Sequence, residues 1–288
     1  MDEDLRIMIA GGGTGGHLYP ALAIGAEIMN RKPNATVHYV GSKFGLEARI
    51  LPERGLPHTL LPISGFQRSF SPRSIGRNLM LVGRVPLALV KVRTLCRSME
   101  PNVIVGTGGY ASALPVKVGI GWKIPTVLQE QNSYPGLTTR LFAKPATAVY
   151  AGTSDTGSYL DTAIEVTGNP VRSEIRNGTK TAGSELFQLD GKRKTVFLFG
   201  GSQGSAPLNR AIQAVLPALQ DRGIQLLWQT GYNNYEALKK LETDTVRIKP
   251  YIKEMAHAYA LSDIAVARAG ALTPVSYTHL TLPTSDLV

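Results

Sequence analysis

Leu5-Arg6-Ile7-Met8-Ile9-Ala10-Gly11-Gly12-Gly13-Thr14-Gly15-Gly16-His17 is the stretch whose reading decides the fold. Its first half is a short apolar run that reads as a buried strand, and the Ala, Leu and Ile content of residues 19–30 behind it reads as a helix. A glycine-rich turn from strand to helix presents backbone N–H groups at the positive end of the helix dipole, which suits a phosphate or diphosphate. A nucleotide ligand is therefore the first expectation. His17 adds a group that titrates near neutral pH beside that cradle.

Outward from this stretch the theme repeats. Short apolar runs at 37–40, 103–105, 126–128, 146–150, 195–199, 225–229 and 263–267 end in glycine or a polar turn, with helical pattern between them. This is how a doubly wound parallel α/β sheet reads. The segment 168–183 is richer in glycine and polar residues than its flanks and is the expected domain boundary. After it, the run 195–199 leads into Gly200-Gly201-Ser202-Gln203-Gly204-Ser205 and a helix through 209–219, a second version of the opening. Two Rossmann-like units facing each other would bring two glycine-rich loops to one cleft.

Composition narrows the class. With 288 residues, 43% hydrophobic and 18% charged, the chain can bury one large core or two domain-sized ones. The acidic start Met1-Asp2-Glu3-Asp4 resembles neither a signal nor a transit peptide, and no apolar run reaches the length of a membrane span. The single cysteine, Cys96, excludes an internal disulfide and fits a reducing compartment. A net charge of +10 points to an anionic partner: a phosphorylated substrate, an anionic membrane surface or nucleic acid. Nucleic acid ranks last, because the basic residues are not interleaved with aromatics and no zinc-ligand cluster or RNA-binding signature occurs.

Gly11, Gly13 and Gly16 satisfy G-x-G-x-x-G, so an NADP-dependent Rossmann oxidoreductase is an alternative. That fingerprint expects an acid near the end of the second strand, where this chain has Tyr39-Val40-Gly41-Ser42-Lys43. Ser42 and Lys43 could meet a 2′-phosphate instead. A Walker loop fails, since its Lys and Ser/Thr are replaced by His17 and Leu18. A basic nucleic-acid-binding module is the second alternative.

The run GGGTGGHLYPALAIG resembles the signature of the MurG family of bacterial peptidoglycan glycosyltransferases. Similar to the same family, in the same order, are Gly106-Thr107-Gly108-Gly109-Tyr110, Glu130-Gln131-Asn132, Gly168-Asn169-Pro170-Val171-Arg172, Gly200-Gly201-Ser202-Gln203-Gly204 and Arg268-Ala269-Gly270-Ala271-Leu272-Thr273. The resemblance implies a GT-B fold of two Rossmann-like domains. It implies an inverting transfer of N-acetylglucosamine from UDP-N-acetylglucosamine to the 4-hydroxyl of lipid I, giving lipid II, with no cofactor. The expected organisation is an acceptor-binding and membrane-associating domain at 1–167, a partial UDP-sugar-binding domain at 168–273 and a non-family tail at 274–288.

Carried over by motif, Thr14, Gly15, Gly16, Asn132, Arg172, Ser202, Ile252, Ala271, Leu272 and Thr273 contact the donor, with Ile252 meeting uracil through its backbone. The broken bond joins the anomeric carbon to a diphosphate, so negative charge grows on the leaving group. Backbone donors at helix N-termini, around 202–205 and at 14–16, can stabilise it. Apart from Asp2-Glu3-Asp4, which lies ahead of the first strand, there is no Asp-x-Asp pair that could hold magnesium on a diphosphate, and a metal-independent transfer is expected. The acceptor hydroxyl must lose a proton as it attacks, and a group with a pKa near working pH does this best. His17 is the first candidate for that base, and Glu130 and Tyr110 follow.

Between residues 73 and 97, Arg73, Arg77, Arg84, Lys91, Arg93 and Arg97 are mixed with Leu79, Met80, Leu81, Val82, Leu87, Leu89 and Val90. A basic segment with an apolar face suits anionic lipid, where a lipid-linked acceptor is met, and implies a peripheral position at the cytoplasmic face of the cell membrane. Pro86 is expected to interrupt any single long helix here. Pro207, early in the helix after the second loop, is compatible with a first helical turn. Two departures from the family pattern stand out. Gln129 replaces the usual histidine before Glu-Gln-Asn. Ser276 stands where a ribose-holding glutamate is expected, and the remainder reads as a foreign or misread end that leaves the second sheet incomplete.

Overall fold

The computed structural model describes residues 5–65, 72–171, 175, 177–201 and 204–268, with no side-chain detail for 72–82. The chain divides into two compact units, Met1–Pro170 and Val171–Val288.

The first unit holds strands β1 (Arg6–Ala10), β2 (Thr36–Ser42), β3 (His58–Leu61), β4 (Val103–Gly106), β5 (Thr126–Glu130), β6 (Ala148–Ala151) and β7 (Glu165–Val166). Between them run helices α1 (Gly15–Arg31), α2 (Glu47–Glu53), α3 (Pro72–Met99), α4 (Tyr110–Gly121) and α5 (Leu137–Phe142). The sheet is parallel throughout, in the order β3-β2-β1-β4-β5-β6-β7. β1 shows why its sequence is almost continuously apolar. Ile7 and Ile9 pack on one face with Leu18, Leu22 and Tyr39, and Met8 and Ala10 pack on the other with Val92 and Ile104. A strand covered on both faces has no solvent side to alternate with.

The second unit holds α6 (Lys180–Phe187), β8 (Thr195–Phe199), α7 (Ala206–Asp221), β9 (Gln225–Gln229), α8 (Tyr232–Leu238), β10 (Val246–Lys249), α9 (Met255–Leu261) and β11 (Ile264–Ala267). Its parallel sheet runs β10-β9-β8-β11. Phe197 and Phe199 stack with centroids 4.6 Å apart and meet the ring of Tyr259 edge-on, while Leu198 faces the opposite cluster with Trp228.

Both units thus place their first strand beside their second and fourth. In each, the strand order reverses at the first strand, β1 in one unit and β8 in the other, and both glycine-rich loops follow the carboxyl end of that strand. In open α/β sheets this switch point is where ligands bind.

Two details differ from the sequence reading. α1 begins at Gly15, so the last two glycines of the first loop belong to the helix. α3 runs unbroken from Pro72 to Met99 through Pro86. Pro86 is exposed, so the backbone bond it cannot make lies on the outer side of the helix. Inward, Ala88, Val92 and Cys96 hold the helix to the sheet. Pro207 falls in the first turn of α7, where a missing N–H costs nothing. Among the described residues no helix is long and apolar enough to cross a membrane.

Candidate functional site

The switch point of the first unit assembles three motifs distant in sequence: 11–17 after β1, 107–110 after β4 and 130–132 after β5. Thr14 precedes the first turn of α1, and both His17 and Leu18 bond back to its carbonyl, at 3.2 and 3.1 Å. This turn carries His17 toward the loop after β4. Gly108 and Gly109 have φ of +93° and +75°, and a Cβ on either would lie 2.7 Å from His17 Nδ1 or 2.2 Å from the Gly12 carbonyl oxygen. The glycines are required both by conformation and by the seat of the ring.

The His17 ring is held from one side. Nδ1 lies 3.1 Å from the Thr107 carbonyl oxygen and 3.0 Å from Gln131 Oε1. The Gln131 amide can be oriented only one way, because its Nε2 donates to the Thr107 carbonyl at 2.9 Å and to Gln129 Oε1 and its carbonyl. Both partners of Nδ1 are therefore acceptors, so Nδ1 carries the proton and Nε2 keeps its lone pair in the neutral ring. Among the described residues Nε2 has no partner. Thr107, fully buried, also donates through Oγ1 to the His17 carbonyl at 2.8 Å.

Gln129 completes the support. Its Nε2 donates to Asn169 Oδ1 at 3.3 Å, and Asn169 Nδ2 donates to the Gln131 carbonyl at 3.1 Å. Gln131 and Thr107 had no role in the sequence reading, although both lie inside its motifs. Neither is distinctive in type, and only the parallel pairing of β4 with β1 and β5 brings them to His17.

Glu130 is not arranged as a base. Its buried carboxylate accepts from the Asn132 amide and side chain at 3.1 and 2.9 Å, from the Gly136 amide at 3.0 Å and from the Thr139 hydroxyl. With four donors on two oxygens it organises the loop 131–139 and, through it, holds Asn132. Tyr110 opens α4 and is half-buried. Burial raises its pKa above the ordinary phenol value, the charge of Glu47 adds to the rise and the Ser42 hydroxyl opposes it. The phenol stays protonated, a donor rather than a base.

Ser42 is not free to receive a 2′-phosphate. It is fully buried, and its hydroxyl donates to the Ile63 carbonyl at 2.5 Å and accepts from the Phe44 amide at 2.9 Å. The acid missing from the end of β2 stands five residues on, as Glu47, and it is turned inward. Its Oε1 and Oε2 lie 3.0 and 2.9 Å from the Gly13 amide, and Oε1 lies 2.8 Å from the Ser42 amide.

Of the remaining expected donor contacts, Thr14 and Gly16 are exposed and Gly15 is half-buried. The N–H groups of Gly15 and Gly16 open α1, where no intrahelical acceptor exists. In the second unit, Gly200 and Gly201 leave β8, and Gln229 binds the loop through Nε2 to the Gly201 carbonyl at 3.0 Å. The other end of that amide accepts the Ile252 N–H at 2.8 Å. Ile252 is buried, and its N–H is already taken by this bond. Arg172, Ser202, Ala271, Leu272 and Thr273 lie outside the described residues, as does the segment 274–288. Among the described residues no group of three or more His, Cys, Asp or Glu could hold a metal ion.

Residues 7–151 match the glycosyltransferase family 28 N-terminal domain, and residues 195–284 match the glycosyltransferase family 28 C-terminal domain. The chain belongs to glycosyltransferase family 28. One relative, a UDP-N-acetylglucosamine--N-acetylmuramyl-(pentapeptide) pyrophosphoryl-undecaprenol N-acetylglucosamine transferase from Christiangramia forsetii, is 39% identical over 94% of this chain and 74% of its own length. A transferase of the same name from Chlorobaculum tepidum is 36% identical over 97% of this chain and 77% of its own. The crystal structure of Acinetobacter baumannii MurG superposes with a TM-score of 0.65 at 22% identity, covering 96% of this chain and 76% of that one. The architecture is GT-B, with two Rossmann-like units, and the family 28 chain is a glycosyltransferase.

Proposed function

We propose that this chain transfers N-acetylglucosamine from UDP-N-acetylglucosamine to the 4-hydroxyl of the lipid-linked muramoyl-pentapeptide acceptor, lipid I, giving lipid II. The observation that carries the reading is the His17 ring, fixed with its proton on Nδ1 by the Thr107 carbonyl and Gln131 Oε1, at the head of a glycine-rich loop. Identity of 36–39% to transferases of this name, across most of both chains, supports it.

In this reading Nε2 of His17 takes the proton of the acceptor hydroxyl as its oxygen attacks the anomeric carbon. The bond from that carbon to the diphosphate breaks on the opposite face, so the configuration inverts and UDP leaves. Charge growing on the diphosphate is met by backbone donors at helix N-termini, without reorganisation during the reaction. Asn132, held by Glu130, and Thr14 to Gly16 are proposed to touch the donor. So are Ile252 through its carbonyl, Arg172, Ser202 and residues 271–273.

The acceptor is lipid-linked, and α3 offers a surface for its membrane. Leu87 and Val90 are 54% and 57% exposed, and Lys91, Arg93 and Arg97 stand exposed beside them. The Arg97 guanidinium lies 5.6 Å from the ring centre of Trp122, and that of Arg84 lies 5.2 Å from the ring centre of Phe44. We infer peripheral attachment at the cytoplasmic face. Sedimentation with anionic vesicles that weakens as salt rises supports this, and salt-insensitive absence of binding contradicts it.

The test of the reaction is incubation of the full chain with labelled UDP-N-acetylglucosamine and lipid I, with chromatographic detection of lipid II. Formation of lipid II and UDP in equal amounts is expected. No product, together with binding of NADP rather than UDP, would overturn the reading in favour of an oxidoreductase.

A further inference from the structure

Glu47 is fully buried, titratable and takes no part in the proposed transfer. A space has been left for its carboxylate by three glycines. A Cβ added at Gly12 or Gly45 would lie 2.3 Å from one of its oxygens, and a Cβ at Gly41 would lie 2.3 Å from its Cγ. Within that space its oxygens accept from two backbone amides belonging to different parts of the switch point, Gly13 in the first loop and Ser42 at the end of β2. Among the described residues no cation pairs with it.

We propose that Glu47 is a positioning residue for the transfer site: by tying the Gly13 amide to the end of β2 it fixes the turn from which α1 and His17 start. The inference rests on the reading of His17 as the base. Between Gly13 and His17 there is a single turn, closed by the bonds of His17 and Leu18 to the Thr14 carbonyl. On its far side the loop has no slack. Gly12 abuts Gly109 so closely that a Cβ there would fall 2.2 Å from the Gly12 oxygen, and the same Cβ would lie 2.9 Å from His17 Cδ2. A shift of Gly12 or Gly13 therefore passes into the seat of the ring, where a misplacement near 1 Å costs on the order of a hundredfold in rate.

The same arrangement divides the loop by function. The Gly13 amide, which a phosphate cradle would leave for its anion, is occupied by a carboxylate of the protein itself. The outer amides at 15 and 16 are left for substrate.

The experiment compares Glu47→Gln with the parent in the full chain. The neutral amide keeps the shape but sets an NH2 against the Gly13 N–H. Expected are a kcat about tenfold lower or less, a KM for UDP-N-acetylglucosamine and a calorimetric UDP affinity within about twofold of the parent, and a melting temperature within a few degrees. In nitrogen-edited NMR, His17 is expected to lose its single Nδ1–H tautomer. Gly12→Ala, which pushes on the carboxylate without removing it, should reproduce this pattern and decides the matter if Glu47→Gln does not fold. A kcat within about twofold of the parent in a folded variant overturns the proposal. So does parallel loss of kcat, UDP affinity and melting temperature, which marks a merely structural acid. A parent that makes no lipid II refutes the reaction instead, and the His17 spectrum still judges Glu47.

Discussion

The two glycine-rich loops occupy equivalent places, each after the first strand of a parallel sheet at its switch point, yet they are wired differently. The first gives its inner amide to the Glu47 carboxylate, closes on Gly108 and Gly109, and starts a helix that carries a histidine held by two acceptors. The second is held, among the described residues, by a neutral side chain: Gln229 grips the Gly201 carbonyl with one end and the Ile252 amide with the other. An acid behind a helix N-terminus works against an incoming anion, whereas a neutral amide does not. We propose that this difference divides the labour: the first loop carries the base and offers substrate only its outer amides, at 15 and 16, while the second holds the nucleotide. A glycine count alone does not reveal this.

That contrast can be broken by substitution. Replacing Gln131 with Leu removes one of the two acceptors that set the His17 tautomer. Steady-state kinetics should show kcat lower by about ten- to a hundredfold with UDP affinity unchanged. Equal losses in both would erase the contrast. Gln229→Ala frees the Gly201 carbonyl and the Ile252 amide together, and UDP affinity measured by calorimetry should fall by about tenfold, in line with 1–2 kcal/mol for a lost buried hydrogen-bond partner. Its kcat at saturation should stay within about threefold. The smallest effect is expected at Tyr110. Its pKa lies above the ordinary phenol value, so the hydroxyl is protonated throughout the neutral range. Tyr110→Phe should therefore leave the shape of the pH–rate profile unchanged and lower kcat no more than a few-fold. Loss of a limb of that profile would make Tyr110 a titrating catalyst.

Much of the architecture was legible because the strands are buried on both faces. The runs at 195–199 and 225–229 coincide with β8 and β9, since a fully covered strand reads as an uninterrupted apolar word. The elements missed were those lacking that signature. β3 is His58-Thr59-Leu60-Leu61, β10 alternates Val246-Arg247-Ile248-Lys249, and β7 is two exposed residues at the sheet edge. α3 defeated the local rule for proline because tertiary packing of Ala88, Val92 and Cys96 holds the helix through Pro86.

At the site, the glycine spacing and its histidine could be read directly. What could not be read was which groups the fold would use up. Glu130 looks like a base in sequence and is saturated by its own loop. Glu47 looks like a surface acid at the start of a short helix and is the acid beneath the first loop. Its only sequence signal was the pair of glycines, Gly41 and Gly45, on either side of the turn that precedes it.

The central claim is that His17 takes the acceptor proton, and the most direct measurement is single-turnover transfer to lipid I by His17→Ala beside the parent at saturating donor. The account predicts a rate lower by at least about a hundredfold with UDP affinity within about threefold, the range expected for loss of a general base. A rate within a few-fold of the parent would contradict it.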